Sequence, residues 1–229
     1  MIALASMRLF AFLRTGRALP PLIAALVVLG VLYGGGRAQA AEAYGVSAVV
    51  LFPVFAWQAK LLLDAEPDVQ RRLALVAVGR RRELAGGLLA AGAAGAAMIP
   101  AALALPWLIG GVTGPEGPGD LSVAAGMAVG VWAHLLVLPA AVGLGALASR
   151  AATGSALYGV AVLVGGVVGA LVFGLKDSVL PWLAPPVLAA ARASTAGPAG
   201  TTVALLTGHA LAWSAVALAG YAWLRRRRA

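Results

Sequence analysis

LSVAAGMAVGVWAHLLVLPAAVGLGALA, residues 121–148, decides the fold class. It contains no Asp, Glu, Lys or Arg. A hydrocarbon layer of about 30 Å takes about 20 helical residues, so this run is long enough to cross one. A barrel strand would instead alternate apolar and polar over about ten residues. The run is continuous, so it is a membrane helix.

Five more such stretches flank it, at residues 20–34, 45–63, 84–112, 155–175 and 201–224. Together they take up nearly everything after residue 20 of the 229 and leave no room for a soluble catalytic domain. Hydrophobic residues make up 62% of the chain and charged ones 11%, where a soluble domain has about 45–50% and about 25%. Too little polar surface exists to coat a water-facing globule. The expected architecture is therefore all-α: a polytopic membrane protein with a single six-span domain.

The gaps carry breakers and charge. Residues 113–120, Thr-Gly-Pro-Glu-Gly-Pro-Gly-Asp, read as a loop. Residues 149–154 form a tight link, and residues 176–200 are Pro-rich yet only mildly polar. With the N-terminus placed in the cytoplasm, fourteen of the 17 Lys and Arg lie inside, and only Arg37, Lys176 and Arg192 lie outside. That asymmetry follows the positive-inside rule, and it puts both termini in the cytoplasm. The net charge of +9 needs no nucleic acid to explain it. A rival reading takes Arg8, Arg14 and Arg17, the apolar run and Ala38-Gln39-Ala40 as a cleavable signal, which leaves five spans.

Two segments outside the spans could carry work. Residues 2–18 mix Ile2, Leu4, Leu9, Phe10, Phe12 and Leu13 with Arg8, Arg14 and Arg17, a composition suited to a helix in the headgroup layer. Arg8 falls on the opposite side of that wheel from Arg14 and Arg17. Residues 64–83 begin with Asp64, Glu66 and Asp68, hold Pro67 at a helix start and Gly79 at its stop, and end in Arg80, Arg81 and Arg82. Acid first and base last suit the helix dipole. This short cytoplasmic helix has an apolar face of Val69, Leu73 and Val76 that lipid headgroups or another protein must cover.

Within the spans, polar residues are costly. His134 and His209 are candidate pathway groups, or else histidines bonded to a neighbouring helix. Gln58 and Lys60 lie near the inner end of the second span, with Lys60 expected to reach toward the inner interface. Gly30/Gly34, Gly126/Gly130 and Gly165/Gly169 have the spacing of close helix contacts. Pro53, Pro100, Pro106 and Pro139 predict kinks. With no Cys in the chain, thiolate metal sites and cysteine nucleophiles are excluded. Two separated histidines make no metal site. There is no G-x-x-x-x-G-K-[ST] loop, no H-E-x-x-H and no G-x-S-x-G, and the eight carboxylates lie in loops or at span ends. The residues give no catalytic centre.

The full-length layout resembles the permease subunit of a type-2 ABC transporter, exporter class. Residues 2–18 resemble its N-terminal elbow helix, within an elbow region at residues 1–19. Residues 64–82 resemble its cytoplasmic coupling helix. Residues 179–192 resemble its re-entrant outer segment, and Arg225, Arg226, Arg227 and Arg228 its basic end. The resemblance implies that Val69, Arg72, Leu73, Val76 and Arg80 couple to a separate cytoplasmic ABC ATPase, which holds ATP and Mg. It also implies pairing with a second permease copy or a paralogue in the lipid bilayer of the cell membrane. The apolar spans suit a hydrophobic or amphipathic cargo. The alternatives are a stand-alone ion- or proton-coupled carrier and a membrane scaffold that moves nothing.

Overall fold

The computed structural model describes residues 1–227, with the side chain of Asp68 left out; Arg228 of the basic end lies outside the described residues. The architecture is all-α. Eleven α-helices follow one another among the described residues: α1 Ile2–Arg14, α2 Leu19–Gly34, α3 Ala40–Leu63, α4 Asp68–Val78, α5 Arg80–Ala96, α6 Ile99–Leu108, α7 Val123–Leu147, α8 Arg150–Thr153, α9 Ala156–Phe173, α10 Val187–Ala196 and α11 Gly200–Arg227. Five helical stretches are long and apolar enough to cross a membrane: α3, α5 with α6, α7, α9 and α11. A sixth is reached by counting α1 and α2 as one span bent by 73°. The first expected span is therefore the weakest, because α2 by itself has only 16 residues.

α3 and α7 form the centre. Glycines on α7 let the backbones touch. A Cβ added at Gly126 would stand 2.7 Å from Ala40 Cβ, and one at Gly130 would stand 2.6 Å from Tyr44 Cβ. At Gly145 it would meet Ala59 Cβ at 2.7 Å and Lys60 N at 2.9 Å. Residue numbers rise together along the contact, so α3 and α7 run parallel, as alternate spans of one bundle must. Of the three glycine pairs, only Gly126/Gly130 is used this way; nothing lies within 4 Å of a Cβ at Gly30, Gly34 or Gly165. Around this pair α9 and α11 are largely uncovered by protein, which suits faces turned to lipid.

The expected third span is broken. α5 ends at Ala96 and α6 starts at Ile99, just ahead of Pro100, which has no N–H to continue the ladder. At the end of the bundle where α3 and α7 begin, Ala38–Gln39 (β1) pairs in parallel with Val112–Thr113 (β2), and Arg37 Nε donates to Gly110 O at 2.9 Å. The loop at residues 113–120 is tied by Asp120. Its carboxylate accepts the N–H groups of Glu116 at 2.8 Å and Gly117 at 2.7 Å. Those bonds hold the acid below the usual carboxylate range.

Residues 176–200 also lie at this end. Pro181–Leu183 makes one 3-10 turn, and α10 packs on α3 and α7 with Val187, Ala190 and Ser194 buried. A Cβ on Gly45 would stand 2.8 Å from Ser194 Cβ, so glycine is what lets α10 sit against α3.

Candidate functional site

The charged residues gather at the opposite end, where α3 and α7 finish. α1 is drawn onto α5 through two glycines: Leu4 would stand 3.0 Å from a Cβ on Gly86, and Arg8 Nη1 2.7 Å from one on Gly87. Phe12, one turn further along the same face, is fully buried. Arg8 is thereby turned inward, which explains its place on the wrong side of the wheel. Its Nη2 donates to Glu83 Oε1 at 2.7 Å and to Glu66 Oε2, and its Nη1 donates to Glu83 O at 2.9 Å.

Glu83, only 1% exposed on the first turn of α5, is shared. Its second oxygen accepts from Arg225 Nη2 at 2.9 Å. Arg225 Nη1 also reaches Tyr221 Oη at 3.4 Å, and Tyr221 is buried. One carboxylate thus ties α1, α5 and the end of α11, and Glu66 adds the segment that leads into α4. α1 and the last described turn of α11 sit at the same end of the bundle. Buried charge is tolerated here because each carboxylate oxygen of Glu83 has a cationic donor.

A second cluster lies beside it. Lys60 Nζ donates to Asp64 Oδ2 at 2.7 Å, and Asp64 Oδ1 accepts the N–H of Arg150 at 2.7 Å. Arg150 Nη2 returns to Asp64 O at 2.8 Å. Lys60 thus reaches toward the end of α3 where the charges gather and stops at Asp64. Its side chain is 8% exposed and paired within its own helix, because Asp64 lies one turn further on. Asp64 also caps the first N–H of α8, fixing the link between α7 and α9.

α4 stands apart from these clusters. It packs lightly on α5. Val69, Leu73 and Val76 are 69%, 65% and 89% exposed, so the apolar face marked by the sequence is left uncovered by the described residues. Arg72 and Arg80 are exposed beside it. Gly79, at φ +79°, makes the sharp turn from α4 into α5, a conformation that favours glycine.

The two histidines are not brought together. His134 is fully buried between α3 and α7: its Nε2 lies 3.2 Å from Ser47 Oγ and its Nδ1 2.8 Å from Gly130 O. His209 lies on α11 with Nε2 3.3 Å from Trp182 O, beside Trp213, whose Nε1 donates to Leu183 O at 2.9 Å. His209 and Trp213 thus hold the 3-10 turn at Pro181–Leu183. Among the described residues no three His, Cys, Asp or Glu group where they could hold a metal ion.

Sequence reasoning passed over Glu83 and Tyr221, and it took Glu66 only as an acid at a helix start. The available signals were Arg8 facing away from its basic neighbours and a lone acid directly after three arginines. Comparison with family models, curated proteins and solved structures finds no match.

Proposed function

We propose that this chain is the membrane-spanning permease subunit of an ATP-driven ABC transporter, exporting a hydrophobic or amphipathic substrate. It works as a pair with a second copy or a paralogue. Each permease docks on a separate cytoplasmic ABC ATPase, which holds ATP and Mg. The charged end of the bundle, with both termini, faces the cytoplasm, a reading supported by the distribution of basic residues.

The observation that carries this reading is the uncovered face of α4: Val69, Leu73 and Val76 project from the end where α1, α5 and α11 are tied by Glu83. An apolar face exposed on a short helix calls for a partner. Arg72 and Arg80 beside it suit an acidic rim on that partner, setting orientation more than affinity. Closure of the ATPases on ATP pushes α4. The push passes through Gly79 into α5 and through Glu66 and Arg8 into α1, and the spans tilt between two states. No covalent step on the cargo is needed.

An apolar groove of about 320 Å³ between α7 and α11, lined by Val131, Trp132, Leu135 and Leu211 among others, is compatible with such a cargo. The stand-alone carrier finds less support, since His134 is closed in by Ser47 and Gly130 and does not meet His209. Purification of the full chain from its native membrane in mild detergent tests the reading. A P-loop ATPase should come with it, and the complex should hydrolyse ATP. A chain that purifies alone and without ATPase activity contradicts the proposal and favours a scaffold.

A further inference from the structure

An open groove of about 550 Å³ runs between α1 and α4. Leu4, Met7 and Ala11 form one wall, and Leu73, Ala77 and Val78 the other. Its polar floor is Arg8 with Glu66, already joined to each other. Arg17 is exposed and stands beside it: its Nη1 donates to the carbonyl of Ala65, a lining residue, at 3.1 Å. A guanidinium has five N–H donors, so exposed Arg17 keeps most of its own for a ligand beside Ala65.

We propose that this groove binds an anionic phospholipid, with an acyl chain along the apolar walls and the phosphate on Arg17. Three observations choose this occupant. The first is charge. The carboxylates Asp64, Glu66 and Glu83 are engaged by Lys60, Arg8 and Arg225, whereas Arg14, Arg72, Arg80, Arg81 and Arg82 are exposed and form no ion pair among the described residues. This end therefore offers surplus cation to a negative headgroup, and a guanidinium accepts phosphate through paired N–H donors.

The second is placement. α1 is bent 73° from α2, and Ile2, Phe10 and Leu13 are exposed on it, the arrangement of a helix lying along the membrane surface. The groove then opens at headgroup depth. The third is separation from the protein-docking face. Val69 and Val76 are absent from the lining, and Leu73 is shared by the groove wall and the exposed face. Lipid and partner can be seated together. The proposal does not depend on the permease reading, since it needs only a membrane-embedded chain.

The full chain is placed in phosphatidylcholine nanodiscs, and its association with spin-labelled phosphatidylglycerol is compared with that of spin-labelled phosphatidylcholine. Native protein should prefer phosphatidylglycerol. Arg17→Gln should weaken the preference about fivefold, the effect of one arginine near a lipid surface. Ala77→Trp and Ala11→Trp, at exposed wall positions, should each remove the motionally restricted lipid by filling the groove. Arg192→Gln, at the opposite end, should leave the preference intact. Equal association of the two lipids with native protein overturns the proposal. So does a preference that survives Arg17→Gln and both tryptophan variants, or a photo-crosslinker at position 77 that captures protein and no lipid.

Discussion

Arg8 and Glu83 meet at 2.7 Å although 75 positions separate them. The contact joins the first helix of the chain to the helix that follows α4. Glu83 also carries Arg225 at 2.9 Å, so removing its charge takes the carboxylate from Arg225 and leaves Arg8 with Glu66 alone, in a site with little access to water. Glu83→Gln should cost about 3–5 kcal/mol, the range for breaking a buried pair from one side. The check is the unfolding free energy in detergent micelles. Glu116→Gln, in the exposed loop, should change it by less than about 0.5 kcal/mol. Equal effects of the two would show that the cluster adds no stability.

The pair Lys60 and Asp64 lends itself to a double-mutant cycle. Asp64→Asn keeps an oxygen for the N–H of Arg150 but strands the buried ammonium of Lys60. It should destabilise by about 3 kcal/mol or more. Adding Lys60→Met removes the stranded charge and should recover most of that loss. Losses that simply add would mean the two side chains do not interact.

Gly145 and Gly165 make opposite predictions from the same substitution. A Cβ at Gly145 would be driven into the Ala56 carbonyl and Ala59 of α3. Gly145→Ala should cost about 1–3 kcal/mol, as overpacking does. A Cβ at Gly165 meets nothing within 4 Å. Gly165→Ala should be neutral or raise stability by up to about 1 kcal/mol through helix propensity. Unfolding midpoints of the two variants decide the matter, and the reverse order would contradict the packing of α7 on α3.

The contrast between these glycines shows where sequence reading stops. Residues 121–148 announced a helix because an uninterrupted apolar run has few other physical solutions, and α7 covers 123–147, capped where Ser122 Oγ accepts the N–H of Ala125. The start of α3 was harder. The apolar run was read from residue 45, yet α3 begins at Ala40, where Glu42 suits a first helical turn. Which glycines are buried was not legible, because spacing is shared by Gly126/Gly130 and Gly165/Gly169 and only the partner helix distinguishes them. Glu83 was invisible as a site for the same reason. Its partners come from the two far ends of the chain, and no local pattern places Arg8 beside Arg225. The traces were Arg8, which breaks the wheel of α1, and a lone acid set directly after three arginines. The apolar face of α4 was legible because it is a local helical periodicity.

The permease account stands most directly on that face. Val76 is 89% exposed and outside the groove between α1 and α4, so its substitution tests the protein contact without touching the lipid one. Val76→Asp would bury an unpaired charge in a joint with an ATPase, while the spans and the Glu83 cluster are left as they are. The measurement is ATPase activity recovered with the affinity-purified full chain, native against Val76→Asp, at matched membrane levels. The account predicts activity with the native chain and its loss with the variant. Equal activity recovered with both, or none with either, would contradict docking through α4.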